Sequence, residues 1–207
     1  MEPYKGIIRR FGLLLLFPII LLNCWKEPGR ELLLFDFESD AELDQLSWHC
    51  HALNSLSAQH CTHGSKSLKL ELYPSDYPGL DLMPREHDWR EYKELRFDVY
   101  NPQVTNVQLS VRIDDRNDSP GYDDRYNKSF VLNPGMNHMN IPFSTLVRSG
   151  TGKPLSRKSI CRFLVFVVRP KNKVDLYLDN IRLTSDAASD QWQKGSNFSQ
   201  SLMFPCA

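Results

Sequence analysis

The feature that most constrains this chain is a two-residue alternation of apolar and polar side chains, recurring in short runs. Leu95, Phe97 and Val99 alternate with Arg96, Asp98 and Tyr100, and Val107, Leu109, Val111 and Ile113 alternate with Gln108, Ser110, Arg112 and Asp114. Successive side chains of a strand point to opposite faces, so each run has an apolar face to bury and a polar face to leave out. Long helical periodicity is lacking, and only Ser144–Ser149 reads as a helical turn. Strands are expected at Leu32–Glu38, Asn54–Ser57, Ser67–Tyr73, Glu94–Asn101, Val107–Asp114, Tyr126–Leu132, His138–Ile141, Arg162–Val168 and Val174–Leu183. Between them fall Pro74, Pro78-Gly79, Asn101-Pro102, Asn133-Pro134-Gly135 and Arg169-Pro170, all turn signals. Many short strands without βαβ spacing specify an all-β fold, an antiparallel β-sandwich.

The 207 residues divide unevenly. Lys5, Arg9 and Arg10 precede the uncharged run Phe11–Leu22, which has signal-peptide anatomy and is too short to span a bilayer. Its end, Leu21-Leu22-Asn23-Cys24, resembles a bacterial lipobox, with Asn23 in place of the usual small residue. Residues 1–23 therefore read as a signal peptide. Cys24 is the candidate lipidation site, with an ordinary cleaved signal or an uncleaved anchor as alternatives. Residues 24–30 form a linker, 31–184 the sandwich, and 185–207 a polar, loosely ordered tail. The expected location is the bacterial cell envelope, membrane-anchored and facing the periplasm or the cell surface.

Charge narrows the function. The chain carries 25 Lys+Arg and 25 Asp+Glu, and its exported part is slightly acidic once residues 1–23 are set aside. That balance gives no electrostatic drive toward nucleic acid. No nucleophile elbow, Walker loop, dinucleotide fingerprint or zinc-protease motif occurs in the sequence. A non-catalytic protein is expected, with a glycan-active hydrolase as the minority reading. The densest polar region runs from Arg112 to Asn117 and from Tyr122 to Asn127, with Asp-Asp-Arg in both halves. If Phe130 and Leu132 face the core, Arg125, Asn127 and Ser129 face away from it. They then share a non-core surface with Arg96, Asp98, Tyr100, Arg112 and Asp114. Interleaved guanidinium, carboxylate, amide and phenol groups match the paired donors and acceptors of sugar hydroxyls. The same residues also fit a solvated face whose charges offset each other. A stacking ring could come from Tyr100, Tyr122 or Trp89, although Trp89 directly precedes a strand, where burial is favoured. The loop Pro74–Tyr92, which carries Tyr77, is a second candidate surface.

His49-Cys50-His51 and His60-Cys61-x-His63 gather four of the six histidines. Three readings stay open: a zinc or copper site, a Cys50–Cys61 disulfide, or two separate thiols.

Three segments together resemble the jelly-roll carbohydrate-binding modules, notably families 4, 11 and 22, and the related complex I intermediate-associated domain. They are Phe35-Asp36-Phe37-Glu38, the stretch Ser55–Leu68 with its His63-Gly64-Ser65 turn, and Leu176-Tyr177-Leu178-Asp179-Asn180-Ile181. The resemblance implies a jelly-roll scaffold and polysaccharide binding without catalysis. An envelope structural or protein-interaction domain that lacks a sugar site is the alternative. It also implies a structural calcium, held by Glu38, the Lys66 carbonyl and Asp179, since oxygen ligands from three segments suit a hard cation.

Overall fold

The computed structural model describes residues 29–185. Its strands are β1 (Glu31–Phe35), β2 (Leu46–Cys50), β3 (Ala52–Ser57), β4 (Ser67–Leu72), β5 (Gly79–Leu82), β6 (Glu94–Asn101), β7 (Val107–Asp114), β8 (Tyr126–Leu132), β9 (Gly135–Pro142), β10 (Arg162–Val167) and β11 (Val174–Thr184). One helical turn, α1 (Asp40–Leu43), follows β1. Sheet I has the order β3-β4-β11-β6-β9, with β1 also paired to β11, and sheet II has the order β2-β5-β10-β7-β8. Every pairing is antiparallel. The architecture is thus an all-β sandwich.

The alternation builds the core directly. Leu68, Leu70, Leu72, Leu95, Phe97 and Val99 point inward from sheet I, against Leu80, Leu82, Leu109, Val111, Ile113, Phe163 and Val165 from sheet II. Phe97 and Phe163 meet edge-on across the interior, with ring centroids 5.6 Å apart. At full burial each such side chain contributes about 1.5–3 kcal/mol, which makes the two inner faces the main source of stability. In β11 the parity changes partway. Leu176 and Leu178 point inward and so do Ile181 and Leu183, because a register shift between Asp179 and Arg182, with Asn180 at φ 54°, takes up the odd residue. Trp89 closes one end of the core, fully buried, stacked on Phe143 and donating from Nε1 to the Glu86 carbonyl at 2.9 Å.

Two expectations need correction. Pro74–Tyr92 is not a continuous loop, since β5 lies within it, paired on one side to β10 and on the other to β2. Cys50 and Cys61 are free thiols, not a disulfide. Cys50 ends β2 in sheet II, and the turn at His51 (φ 44°) then carries the chain over to β3 in sheet I. Cys61 follows β3, so the two cysteines belong to opposite layers. Among the described residues no cluster of His, Cys, Asp and Glu is arranged to hold a metal. The expected signal peptide (residues 1–23), the lipidation candidate Cys24, most of the expected linker and all but the first residue of the tail lie outside the described residues. Among the described residues no helix is long and apolar enough to cross a membrane.

Candidate functional site

The outward face of sheet II carries a cleft of about 620 Å³. Its layers follow from register. Arg162 of β10 lies opposite Asp114 of β7, Leu164 opposite Arg112 and Asp81, and Phe166 opposite Ser110 and Gly79. Across the β7–β8 pair, Asn127 faces Arg112 and Ser129 faces Ser110, their hydroxyls 2.8 Å apart. The floor therefore changes across the strands, from the apolar Leu164 and Phe166 of β10 to Arg112 and Ser110 of β7 and Asn127 and Ser129 of β8, with Arg162 and Asp114 at one end and Val168 toward the other. Tyr77 and Tyr122 stand at the margins, 48% and 56% exposed, and Tyr77 packs edge-on against Phe166 at 6.0 Å.

The charged end is an interlocked set. Arg112 grips Asp114 with Nε to Oδ1 at 2.9 Å and Nη2 to Oδ2 at 2.6 Å. Arg162 donates from Nε to Asp81 at 2.8 Å and reaches Asp114 from Nη1 at 3.4 Å. Both carboxylates are almost wholly buried beneath these guanidiniums. Burial pushes the Asp81 carboxyl up to about 6, with the Arg162 charge and hydrogen bond opposing the rise. Arg125 differs. Its Nη1 makes a long bond to the Pro120 carbonyl at 3.4 Å, while its buried Nε has no protein partner. Burial lowers its pKa first, and the neighbouring Arg112 charge lowers it further. Asn127 Oδ1 is likewise buried without a partner.

The structure thus brings Arg112, Asp114, Arg125 and Asn127 to one surface. Arg96, Asp98 and Tyr100 also point away from the core, but they belong to β6 in sheet I, on the opposite side of the molecule. Alternation distinguishes inward from outward and says nothing about which layer a strand joins. On sheet I these residues hold the loop between β3 and β4. Asp98 accepts from Thr62 Oγ1 at 2.7 Å and from Asn180 Nδ2 at 3.2 Å, and it pairs with His138 at 2.6 Å. Tyr100 stacks on His60 with centroids 3.5 Å apart, and Arg96 pairs with Glu94. Trp89 is core, so of the three expected rings only Tyr122 lines the cleft.

Glu38, Lys66 and Asp179 flank that same loop, and their oxygens already have donors. Glu38 Oε1 accepts from the Ser65 and Lys66 N–H groups, both at 2.7 Å, and Oε2 accepts from the Ser65 hydroxyl at 2.8 Å. Those donors hold its carboxyl below the usual range. Asp179 Oδ2 accepts from the Thr62 and His63 N–H groups at 2.5 and 2.9 Å, yet burial outweighs them and its pKa is raised. The Lys66 ammonium sits 3.1 Å from the Glu38 carbonyl, so a cation is already supplied by the chain. This donor set does not fit calcium; it fits a hydrogen-bonded clasp.

Sequence reasoning missed Asp81, Arg162, Leu164, Phe166, Ser110 and the cleft role of Tyr77. One signal for them was present. Phe163–Val168 is apolar on both faces, and a strand of that kind is covered on both sides. Here Leu164 and Phe166 face outward yet are only 5% and 7% exposed, which marks the floor of a concavity.

No protein-family model matches the chain, and no curated protein matches it in sequence. Among solved structures it is similar to an exo-beta-agarase, with 22% identity and a TM-score of 0.62. That likeness covers 77% of this chain but spans a quarter (25%) of the agarase. It is similar also to a family 11 carbohydrate-binding module from Clostridium thermocellum, solved with a β-1,3-1,4-mixed-linked tetrasaccharide, at 16% identity and a TM-score of 0.59, covering 75% of this chain and 95% of the module. A third is a CBM22-1 xylan-binding domain from Paenibacillus barcinonensis, at 15% identity and a TM-score of 0.51, covering 77% and 97%. At these identities the likeness is one of fold: the chain has the jelly-roll β-sandwich of carbohydrate-binding modules.

Proposed function

We propose that the protein binds carbohydrate in the sheet II cleft and does not cleave it. The observation that carries this reading is the pair of buried polar atoms without partners, Arg125 Nε and Asn127 Oδ1, on the wall of the cleft. A buried group left unpaired costs about 1–3 kcal/mol, and a small turn of the two side chains toward the cleft would let a saccharide hydroxyl accept from the guanidinium and donate to the amide oxygen. Tyr77 and Tyr122 offer ring faces for the apolar faces of sugars. The fold's similarity to carbohydrate-binding modules supports the same reading. Catalysis is disfavoured because glycosidases need two carboxyl groups in contact with the scissile bond. Asp81 and Asp114 are 2% and 1% exposed and lie under arginines. We place the protein at the cell envelope, exported by residues 1–23 and lipid-anchored at Cys24.

A glycan-array screen of the purified chain, followed by isotherms on the hits, tests the binding site. Asn127→Ala and Tyr122→Ala are each expected to weaken binding, the first by roughly ten- to a hundredfold. Tyr100→Ala, on sheet I, is expected to bind as wild type does. Equal loss in all three variants, or none in the first two, sinks the cleft assignment.

A further inference from the structure

The charged end of the cleft discriminates between saccharides if the cleft is a carbohydrate site, the reading on which this inference rests. Arg112 and Arg162 each have a buried carboxylate partner, in Asp114 and Asp81. Arg125 has no carboxylate within ion-pair distance among the described residues, and its Nε is buried with nothing to donate to. The nearby acids are engaged elsewhere: Asp114, the carboxylate whose charge reaches Arg125, is shared by Arg112 and Arg162, Asp124 lies 3.9 Å from Arg116, and Asp115 is held by Arg148 at 2.8 Å. A neutral hydroxyl could take one hydrogen bond from Arg125 but would leave it without an ion-pair partner of its own in a partly desolvated site. A planar or tetrahedral oxyanion would satisfy both needs, since guanidinium presents two parallel N–H donors to such groups. The β10 side, lined by Leu164, Phe166 and Val168 with Tyr77 packed on Phe166, has no such demand and suits the apolar face of an uncharged ring.

We propose that the cleft selects an acidic polysaccharide, seating one carboxylate or sulfate group of a sugar on Arg125. Three guanidiniums, Arg112, Arg125 and Arg162, against two buried carboxylates, Asp81 and Asp114, match a single acidic group per site rather than a dense run of charge.

The full chain is titrated with two matched polymer pairs: alginate against its carboxyl-reduced form, and a sulfated galactan against its desulfated form. A mixed-linkage β-glucan is the neutral reference. At least one acidic polymer is expected to bind at least tenfold more tightly than its neutralised counterpart, and the pair that shows the difference identifies carboxylate or sulfate. The preference is expected to shrink as salt rises, because charge pairing near the surface is screened. Arg125→Gln is expected to erase it, while Arg125→Lys, which keeps the charge without the fork, retains part of it. Both variants are first checked for a wild-type melt, and if the glutamine variant unfolds, the lysine variant decides. Neutralised polymers that bind as well as their acidic parents overturn the acidic preference and leave carbohydrate binding standing. Binding to none of the five polymers overturns both readings.

Discussion

Asp81 shows how one residue in the cleft couples its chemistry to the stability of the fold. It lies in the middle of β5, 2.8 Å from the Arg162 Nε, and one of its carboxylate oxygens is buried without a partner. Burial raises its pKa from the ordinary 3.8 to about 6, so between these values the folded chain holds the proton more tightly than the unfolded chain does. A group raised in this way stabilises the fold at low pH, and its contribution is lost as pH climbs from about 4 through about 6. Asp81→Asn removes that titration and leaves the other carboxyl groups in place. In urea melts at pH 4, 5, 6 and 7, the unfolding free energy of wild type minus that of the variant is expected to fall with pH. The fall is at most about 3 kcal/mol, at 1.36 kcal/mol per pKa unit. A difference that stays flat, or rises, shows that the Arg162 pairing dominates the carboxylate and that burial does not.

At the scale of elements, strands whose reason is local were legible and strands whose reason is a neighbour were not. Glu94–Asn101, Val107–Asp114 and Tyr126–Leu132 begin and end where alternation and flanking turn residues place them. β2 and β5 were not visible. Pro78-Gly79 reads as a turn, and only pairing with β2 and β10 makes the four residues from Gly79 to Leu82 a strand. Arg112, Asp114, Arg125 and Asn127 were found for the same reason that Arg96, Asp98 and Tyr100 were misplaced. Side-chain parity is encoded by neighbours in sequence, whereas sheet membership is decided by partners far along the chain. Gly79 carries the β5 dependence most sharply. A Cβ added there would collide with the Val165 carbonyl oxygen and come within 2.5 Å of the Phe166 Cβ. Both neighbours belong to β10, where backbone cannot yield without loosening the β5–β10 ladder. Gly79→Ala is expected to destabilise by about 2–3 kcal/mol, read from the denaturation midpoint, and to weaken carbohydrate binding, because Phe166 floors the cleft. A variant as stable as wild type would mean that β5 is not seated against β10 as described.

At the scale of the whole molecule, the two sheets divide the work. Sheet I spends Asp98, Asp179 and Glu38 on its own loop, while the outward face of sheet II holds the cleft with Arg125 and Asn127 in its lining. The described chain enters and leaves at one point: the Ser185 N–H donates to the Arg30 carbonyl at 2.9 Å, and the Arg30 N–H donates to the Ser185 hydroxyl at 2.8 Å. That point continues from β1 and β11, both in sheet I, and none of the cleft residues belongs to either strand. A lipid on Cys24 would be joined to β1 through residues 24–30, a tether of at most ~25 Å when fully extended. Anchoring and binding should therefore be separable. Cys24→Ala is expected to move the protein from the membrane to the soluble fraction of its host and to abolish labelling by a palmitate analogue. Its affinity for whichever glycan wild type binds is expected to stay unchanged. Wild type that takes no label would rule out the lipid anchor and leave ordinary secretion. A Cys24→Ala protein that is released but has lost its glycan affinity would show that the segment before β1 takes part in the site.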